Sequence, residues 1–478
     1  MSATVLPPTR FTTAISIALA CLLAPGMALG QGYAPQDLAA ASELRERALA
    51  SDTAYELVTS LTTEVGPRPA GSPGDSAALD WAEHNMRQLG FSNVRRMDVV
   101  VPHWVRGTAS FEVLAPFPQT MPVLALGGSI GTPDTGLEAE IIAVRDLTAL
   151  ATLPVNAVRD RIVFFTGRTE RTRDGSGYGK AVQVRAQGPS AAAALGAVGV
   201  VIRSIGTSSD RFPHTGALSY NISAPRVPAV ALSNPDADAL ERQLATGKPV
   251  RVSMMVSARD LPQKLSANVI GEIPGADQDA EIVLLGAHLD SWDPGTGALD
   301  DGAGVAIIMA AAHLIGDTKP RPRRTIRVVL FANEEFGLSG SLAYASKIGD
   351  EFARHAVGME ADFGAGPVYQ LTSRVPPELL PAIKDIHATI APLEVELGGN
   401  ETNGGADLGP LRRLGMPLLA PGLDGSKYFD VHHTANDTLE QVDPAHIRQA
   451  AAAFAVSAYL AAQWPGSWGR NTTPPPRQ

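Results

Sequence analysis

The spacing of apolar and polar residues predicts alternating strands and helices between residues 266 and 463. Continuous apolar runs, typical of strands buried on both faces, alternate with runs whose apolar residues recur at helical spacing. The predicted strands are ANVIGEIP, EIVLLGA, RTIRVVLFAN, AVGMEAD and MPLLAPGLD, and the predicted helices are GAGVAIIMAAAHLI, LSGSLAYASKI and PAHIRQAAAAFAVSAYLAAQ. This alternation indicates an α/β fold with a mostly parallel central sheet covered by helices, and such sheets bind ligands beyond the carboxyl ends of their strands.

The segments on either side of this pattern divide the rest of the chain. Residues 31–130 contain two helical patterns followed by strand-like alternation, whereas residues 131–262 contain short apolar strands and one helix of small residues, GPSAAAALGAVG. We therefore predict one domain built from residues 31–130 and 263–466, interrupted by an insert at 131–262. The insert is interpreted as a spacer or lid rather than a catalytic element, and residues 467–478 as a disordered tail.

The first 30 residues have the pattern of a secretory signal peptide. Arg10 precedes the apolar stretch FTTAISIALACLLAPGMALG, with cleavage expected before Gln31. A membrane anchor is the alternative, but the uninterrupted apolar core is about half of the ~20 residues that a spanning helix needs. Cys21 could instead be lipidated, although the residues before it match such a site poorly. The sequence thus predicts a secreted or periplasmic protein with no membrane contact after cleavage.

Composition and charge narrow the chemistry. The net charge of -10 over 478 residues argues against a nucleic-acid partner, because no basic stripe is available to neutralise phosphates. Cys21 is the single cysteine, so a chain processed after the signal would have no disulfide and no thiolate ligand. A metal site would have to use histidine, aspartate and glutamate, which favours zinc or a harder divalent ion.

Ionisable residues follow the ends of four predicted strands. His288, Asp290, Asp300 and Asp301 follow EIVLLGA, Glu334 and Glu335 follow VVLFAN, Asp362 follows AVGME, and His432 and His433 follow APGLDGSKYFDV. Two carboxylates ~4 Å apart repel by roughly 4 kcal/mol at an effective dielectric near 20, so a cation is expected among them. Two histidines, a bridging aspartate and one further carboxylate per metal suit two zinc ions about 3.5–4 Å apart, and one carboxylate is left as a base.

The adjacent residues Glu334 and Glu335 favour hydrolysis. Neighbouring side chains diverge at a strand end, so one can bind metal while the other takes a proton from water and passes it to a leaving amine. Asp290 stands two residues after His288 and could accept the ring N–H opposite the metal.

Each group also has a simpler interpretation when it is taken alone. A DDG turn such as Asp300–Asp301 commonly caps a helix, and an isolated EE pair is usually solvated. The oxygen-rich loop would also suit structural calcium, but two histidines count against calcium. The convergence of four segments therefore favours a dinuclear metal site. The remaining histidines are interpreted as surface or core residues: His84, His103, His214, His313, His355, His387 and His446.

The motifs HLDSWDPGTGALDDGAG, NEEFGLSGS, MEAD and HHTANDT resemble those of the co-catalytic zinc exopeptidase family, in its carboxypeptidase Q branch. The likeness extends to PHWVRG, GGSIGTP, QVRAQGPSAAAALGAVGVVIRS and PHTGALSY, and so covers most of the chain. The resemblance implies the zinc exopeptidase fold, a protease-associated domain at residues 131–262, and a homodimer.

The resemblance also implies a metal ligand set with two Zn²⁺ per chain. His288, Asp300 and Asp362 would bind one zinc ion. Asp300, Glu335 and His433 would bind the other, so that Asp300 bridges the two.

Further residues take roles around these ligands by the same resemblance. Glu334 would be the general base, and Asp290 would orient His288. His433 is chosen as the ligand over His432 because it stands four residues before the aspartate of the DT pair. Several relatives have a tyrosine before this histidine that helps to hold the oxyanion, so His432 is a candidate for that role here.

The function implied is that of a secreted dinuclear zinc exopeptidase acting on dipeptides or short peptides with free termini. Hydroxide formed at the metals would attack the peptide carbonyl, with Glu334 moving the proton. An aminopeptidase acting on longer peptides is the alternative within hydrolases, and a non-catalytic receptor-like relative is the alternative outside them, although no ligand is missing here. Asp407 stands where relatives place a loop beside the substrate, but a turn residue is an equal interpretation.

Overall fold

The computed structural model describes residues 1–6 and 32–471. Most of the predicted signal peptide, including Cys21, and residues 472–478 of the predicted tail therefore lie outside the described residues. The strands are β1 Ser92–Val105, β2 Ala109–Ala115, β3 Gln119–Met121, β4 Val123–Ala125, β5 Leu137–Val144, β6 Ile162–Phe165, β7 Gly199–Arg203, β8 Ala229–Leu232, β9 Arg251–Val256, β10 Arg259–Ile273, β11 Ile282–His288, β12 Thr325–Phe331, β13 His355–Glu360, β14 Val368–Arg374, β15 Glu396–Leu397 and β16 Leu418–Leu423.

Helices flank these strands along the whole described chain. They are α1 Pro35–Leu49, α2 Thr53–Ser60, α3 Pro73–Gln88, α4 Leu147–Ala151, α5 Val155–Val158, α6 Ser176–Ala194, α7 Asn234–Leu244, α8 Ala303–Gly316, α9 Ser339–Lys347, α10 Leu380–Ile390, α11 Gly409–Arg413, α12 Tyr428–Val431 and α13 Pro444–Gln463. Proline at the first position and the side chain of Asp443 as N-cap start α13 where the sequence pattern places it.

The first sheet has a parallel centre and antiparallel pairings towards its edges. Its strand order is β1-β10-β12-β11-β13-β16-β14-β15. The pairings from β12 through β11 and β13 to β16 are parallel, whereas β1 with β10, β10 with β12, and β14 with β16 are antiparallel. The edge pairing of β14 with β15 is parallel as well, so most pairings of this sheet are parallel, as the sequence predicts. The fold is mixed α/β, and the antiparallel pairings were not indicated by the sequence. Strands β14 and β15 and helix α10 were not anticipated.

Both faces of the first sheet are covered, which explains the continuous apolar runs of its central strands. Along β11, Val283 and Leu285 point into a core shared with α1, α2, α8 and α13, whereas Leu284 points into a second core shared with α9 and α11. Among the described residues one helical segment, Ala298–Gly316, is long and apolar enough to cross a membrane. It is 89% buried inside the protein, as a core helix is.

Residues 109–256 form a second sheet with its own core. Its strand order is β3-β2-β9-β5-β6-β7-β8-β4, with α7 packed on one face and α6 on the other. This sheet begins at Ala109, earlier than the boundary at residue 131 that the sequence suggested, because β1 and β2 form one run of alternating residues. The chain crosses between the sheets at Gly107, where φ is +63° and a Cβ would lie 2.3 Å from the Ser257 hydroxyl.

The start of the predicted tail packs against the fold. The side chain of Trp468 is fully buried, and its indole N–H donates to the carbonyl of Ala461 in α13 at 3.0 Å. The apolar ring, rather than the polar residues around it, decides the position of this segment.

Candidate metal centre

The four parallel central strands of the first sheet bring the predicted site residues to one rim. His288 is the last residue of β11, and Asp300 closes the loop that leads into α8. Glu335 follows β12, Asp362 follows β13, and His433 follows β16 and the short helix α12. Since parallel strands end at the same edge, residues distant in the chain meet here.

Asp300 lies between the two histidines of the predicted ligand set. One of its carboxylate oxygens, Oδ1, is 3.2 Å from His288 Nε2, and the other, Oδ2, is 3.1 Å from His433 Nε2. Asp362 Oδ1 is 3.6 Å from His288 Nε2 on one side, and Glu335 Oε2 is 3.0 Å from His433 Nε2 on the other. The five side chains thus form two half-sites that share one carboxylate.

Unpartnered polar atoms in this cluster fit a bound cation. Glu335 Oε1 is buried without a hydrogen-bond partner among the described residues, and Asp300 Oδ2 forms no well-aligned hydrogen bond there although His433 Nε2 lies 3.1 Å away. Buried polar atoms are normally hydrogen-bonded or bound to an ion. Imidazole nitrogen with carboxylate oxygen, and no thiolate, is a donor set that zinc accepts.

The electrostatics of the two half-sites also indicate missing positive charge. Burial raises the pKa values of Glu334 and Glu335 well above their usual range, and the carboxylates beside them raise the values further. Burial alone would lower the pKa of His288, but contacts with Asp290, Asp300 and Asp362 outweigh it and raise the value well above 6.5. Divalent cations would relieve this accumulation of negative charge.

Asp290 connects the His288 segment to the glutamate pair. Its backbone carbonyl lies 3.0 Å from His288 Nδ1 and its carboxylate lies 3.6 Å from the same nitrogen, so the carbonyl is the nearer acceptor. The carboxylate accepts a hydrogen bond from the backbone N–H of Glu334 at 3.0 Å. Asp290 therefore contacts both the predicted ligand and the predicted base.

The two consecutive histidines stack on each other, with ring centroids 3.5 Å apart. His433 adopts a left-handed backbone conformation with φ of +62°, and its Nε2 faces both Asp300 and Glu335. His432 Nε2 is 3.5 Å from Asp300 Oδ2, and its Nδ1 is buried without a partner among the described residues. The geometry therefore brings His433 closer to the carboxylates than His432.

Asp301 and Asp300 make different contacts at the start of α8. Asp301 accepts hydrogen bonds from the backbone N–H groups of Gly304 at 3.1 Å and His288 at 3.2 Å. The capping interpretation of the DDG turn thus applies to Asp301, whereas Asp300 faces the histidines.

Two residues without a role predicted from the sequence hold the loop between β11 and α8. The buried guanidinium of Arg68 donates to the carbonyls of Leu289 at 2.6 Å, Thr296 at 2.7 Å and Gly297 at 2.8 Å. The aspartate of the DT pair, Asp437, accepts from the N–H groups of Leu299 at 2.6 Å and Asp300 at 3.3 Å. Arg68 stands in the turn-rich stretch GPRPAG, which carries no signal for this role.

The second sheet also contacts the centre, so the interpretation of residues 131–262 as a spacer or lid was incomplete. The carbonyl of Thr215 lies 3.2 Å from His433 Nδ1, and the N–H of Thr215 donates to the His433 carbonyl at 3.0 Å. A guanidinium nitrogen of Arg185 lies 3.4 Å from the same imidazole nitrogen. His433 is thus oriented from behind by residues of the second sheet.

Asp407 lies inside the centre rather than in a solvated turn. Both of its carboxylate oxygens are buried without a hydrogen-bond partner among the described residues. Burial raises its pKa well above the usual range, and the charge of Glu334 raises it further. The carboxylate of Glu360 holds the segment by accepting from the N–H groups of Asp407 and Leu408 at 3.1 and 2.7 Å.

Two cavities of opposite character adjoin the cluster. The first, of about 220 Å³, is lined by Glu335 and by the aromatic rings of Trp104, Trp292 and Phe336. The second, of about 450 Å³, is lined by Asp362 and by three further carboxylates, those of Asp174, Glu360 and Glu401. Its described lining residues include neither lysine nor arginine.

Comparisons with known proteins find relatives along most of the chain. Residues 268–458 match the model of peptidase family M28. Carboxypeptidase Q from Mus musculus is 35% identical over 408 residues, covering 85% of each chain, and that from Homo sapiens is 32% identical over 415 residues, covering 86% of each. A solved peptidase M28 precursor from Shewanella amazonensis is 44% identical, with a TM-score of 0.89 over 93% of this chain and 99% of that one. The zinc aminopeptidase from Bacillus subtilis, 19% identical, shares the fold with a TM-score of 0.60 over 85% of this chain and 94% of that one.

Proposed function

Because this chain belongs to peptidase family M28, with carboxypeptidase Q among its relatives, we propose that it is a dinuclear zinc exopeptidase that cleaves dipeptides and short peptides. The observation that carries the proposal is the Asp300 carboxylate, whose two oxygens face His288 and His433 from separate strands. The coarser conclusion, a zinc exopeptidase, follows from the family and from the aminopeptidases that share the fold.

The proposed ligands are those that the sequence indicated. His288, Asp300 and Asp362 would hold one zinc ion, and Asp300, Glu335 and His433 would hold the other. When bound, the two ions would polarise the scissile carbonyl and lower the pKa of a water molecule toward 7.

Glu334 is the proposed base. Its backbone is fixed by Asp290, and burial raises the pKa of its carboxyl group well above the usual range. A carboxyl with a raised pKa is suited to accept the proton of the attacking water and deliver it to the leaving amine nitrogen. Asp290 is the proposed positioning residue for both His288 and Glu334.

The different linings of the two cavities favour one orientation of a bound peptide. The cavity with four carboxylates suits the free amino group of a peptide, since an ammonium compensates clustered negative charge. The cavity lined by Trp104, Trp292 and Phe336 suits an apolar side chain on the residue that follows the scissile bond. We therefore propose dipeptides with a free amino terminus and an apolar second residue as preferred substrates.

A panel of peptides tests this proposal with the zinc-loaded enzyme. Ala-Phe and Ala-Leu should be hydrolysed faster than Ala-Asp, and N-acetyl-Ala-Phe should resist hydrolysis. A tripeptide series then separates a dipeptidase from an aminopeptidase acting on longer peptides. Equal cleavage of free and N-acetylated substrates would contradict the assigned direction, and no cleavage of any peptide would contradict the function.

Secretion after cleavage before Gln31, the homodimer and the protease-associated character of the insert stay predictions. The receptor-like alternative is disfavoured by the complete set of side chains at the rim. Binding of zinc and peptide by the purified protein without release of product would support the receptor-like alternative.

A further inference from the structure

We propose that the second sheet region supplies a catalytic residue, Tyr178, whose hydroxyl donates a hydrogen bond to the scissile carbonyl oxygen as negative charge develops there. Arg185 is the proposed positioning residue for that hydroxyl. The inference rests on the proposed function and deepens it. As the water oxygen bonds to the carbonyl carbon, the π electron pair moves to the carbonyl oxygen, and Tyr178 stabilises that oxygen without giving up its proton.

Aromatic packing fixes the ring of Tyr178 against the centre. The residue lies near the start of α6, and its ring stacks on Phe429 with centroids 4.6 Å apart. It meets His432 edge-on at 5.0 Å, and His432 itself stacks on His433. The second sheet region thus places a phenol against the histidine pair at the carboxyl end of the first sheet.

The hydrogen bonds of Tyr178 leave its proton free. Its hydroxyl oxygen accepts from Arg185 Nη2 at 2.8 Å, and a guanidinium can only donate. Among the described residues no acceptor is found for the Tyr178 proton. Donation to a substrate oxygen would complete the bonding of this hydroxyl.

Charge around Tyr178 agrees with a donor role. Burial raises its pKa to about 12; the Arg185 guanidinium lowers the value, and the carboxylates of Glu335 and Asp300 raise it. The hydroxyl therefore keeps its proton at neutral pH.

Arg185 is held by neutral acceptors rather than by an acid. It is buried, and besides Tyr178 it donates to the carbonyls of Thr215 and Ala217, each at 3.2 Å. Within the described chain no carboxylate forms a salt bridge with it. A Cβ at Gly216 would lie 2.2 Å from Arg185 Nη1, so the loop approaches the guanidinium as closely as glycine permits. Its positive charge is left to polarise the Tyr178 hydroxyl.

His432 is the competing donor. Its Nε2 faces the Asp300 carboxylate at 3.5 Å, and its Nδ1 is buried without a partner among the described residues. Tyr178 differs because its oxygen already accepts a hydrogen bond from the Arg185 guanidinium, which polarises the O–H group toward donation. We therefore assign the oxyanion contact to Tyr178.

Tyr178→Phe tests the assignment because the ring contacts are kept. We expect kcat for Ala-Phe to fall about 100-fold with KM within about threefold, and zinc content to be unchanged. A phosphinic dipeptide analogue, which mimics the tetrahedral state, should bind about 100-fold more weakly, while binding of the product phenylalanine changes by less than about threefold. Tyr55→Phe, on α2 away from the rim, is the matched control.

The role of Arg185 is tested by a double-mutant cycle. Arg185→Met should lower kcat about tenfold in the native background and by less than about twofold in the Tyr178→Phe background. Arg185→Lys should restore part of the loss, and circular dichroism with zinc analysis guards against misfolding.

Two results would overturn the inference while leaving the exopeptidase function intact. One is an active enzyme whose kcat and phosphinic-analogue affinity survive Tyr178→Phe within about threefold. The other is a loss of analogue affinity in His432→Phe but not in Tyr178→Phe. An unmodified enzyme that cleaves no peptide would instead refute the proposed function.

Discussion

At the scale of single residues, the immediate neighbours of each carboxylate in the centre set its pKa. Asp300 is the clearest case, because its contacts with His288 and His433 hold its pKa well below the usual range despite burial. Glu334 and Glu335 have raised pKa values in the same cluster. Carboxylates of one cluster are thus shifted in opposite directions by their surroundings.

Replacing Asp300 by Ala should release both metal ions, because both half-sites share its carboxylate. Zinc per chain, measured by atomic emission after gel filtration, should fall from the proposed two toward zero. Asp300→Asn, which keeps the size of the side chain, checks that the loss is not caused by misfolding. Retention of two zinc ions in either variant would place the bridge elsewhere.

Replacing Glu334 by Gln should nearly abolish turnover and leave zinc in place. Loss of a general base lowers kcat by about 10²- to 10⁴-fold, whereas the proposed ligands are untouched. Steady-state kinetics and zinc analysis measure the two effects separately. Glu64→Gln, on an exposed turn of the chain, is the control, and full activity of Glu334→Gln would remove the base assignment.

At the scale of elements, the loop between β11 and α8 has no regular structure over most of its length, and side-chain hydrogen bonds hold its backbone. Arg68 donates to three of its carbonyls, and Asp437 accepts from two of its N–H groups. Burial raises the pKa of Asp437 to about 7. These contacts replace the backbone hydrogen bonds that a strand or helix would provide.

Replacing Arg68 by Met should weaken zinc binding although Arg68 is not a ligand. Residues that orient metal ligands typically contribute about 10- to 100-fold in metal affinity. Competition with a chelating dye measures the dissociation constant of each variant. Arg87→Met, which removes an exposed guanidinium on α3, should leave the constant unchanged; an equal effect of both substitutions would argue against a role for Arg68.

At the scale of the whole molecule, the second sheet region contacts the first sheet at the rim that carries the candidate metal centre. The chain leaves the first sheet after β1, builds the second and returns as β10, so Tyr178, Arg185 and Thr215 reach the histidines from outside the first sheet. Apolar cores on both faces of each sheet hold this arrangement.

Global stability should depend on pH through His355, a buried residue at the start of β13. Burial lowers its pKa to about 4, and its Nε2 accepts a hydrogen bond from the Tyr344 hydroxyl at 2.8 Å. The unfolded chain takes up a proton near pH 6.5 and the folded chain only near pH 4, so stability is lost as pH falls through this window. The loss is about 3 kcal/mol, at about 1.36 kcal/mol per pKa unit.

Urea unfolding of the metal-free protein between pH 4 and 7 measures this dependence. His355→Gln keeps a side chain that can accept from Tyr344 and cannot be protonated, so its stability should vary less over the same range. Parallel curves for the native chain and the variant would show that His355 is not the titrating group.

The sequence by itself determined the features that depend on local order. Apolar runs fix which segments become central strands, and Pro444 with Asp443 fixes where α13 begins. The residues of the candidate centre could be named because each directly follows such a strand, and parallel strands end at one rim. The antiparallel edges of the first sheet were not predictable in this way, because periodicity does not record which strands pair.

Only the tertiary structure decided which distant residues surround that rim. Arg68, Tyr178 and Thr215 stand in a turn, a helix of small residues and a loop, and no local pattern marks them. Their positions follow from the packing of two sheets, since contacts between segments far apart in the chain depend on how whole surfaces fit together. The same packing buried Asp407 and Trp468, whose neighbours in the sequence are largely polar or small.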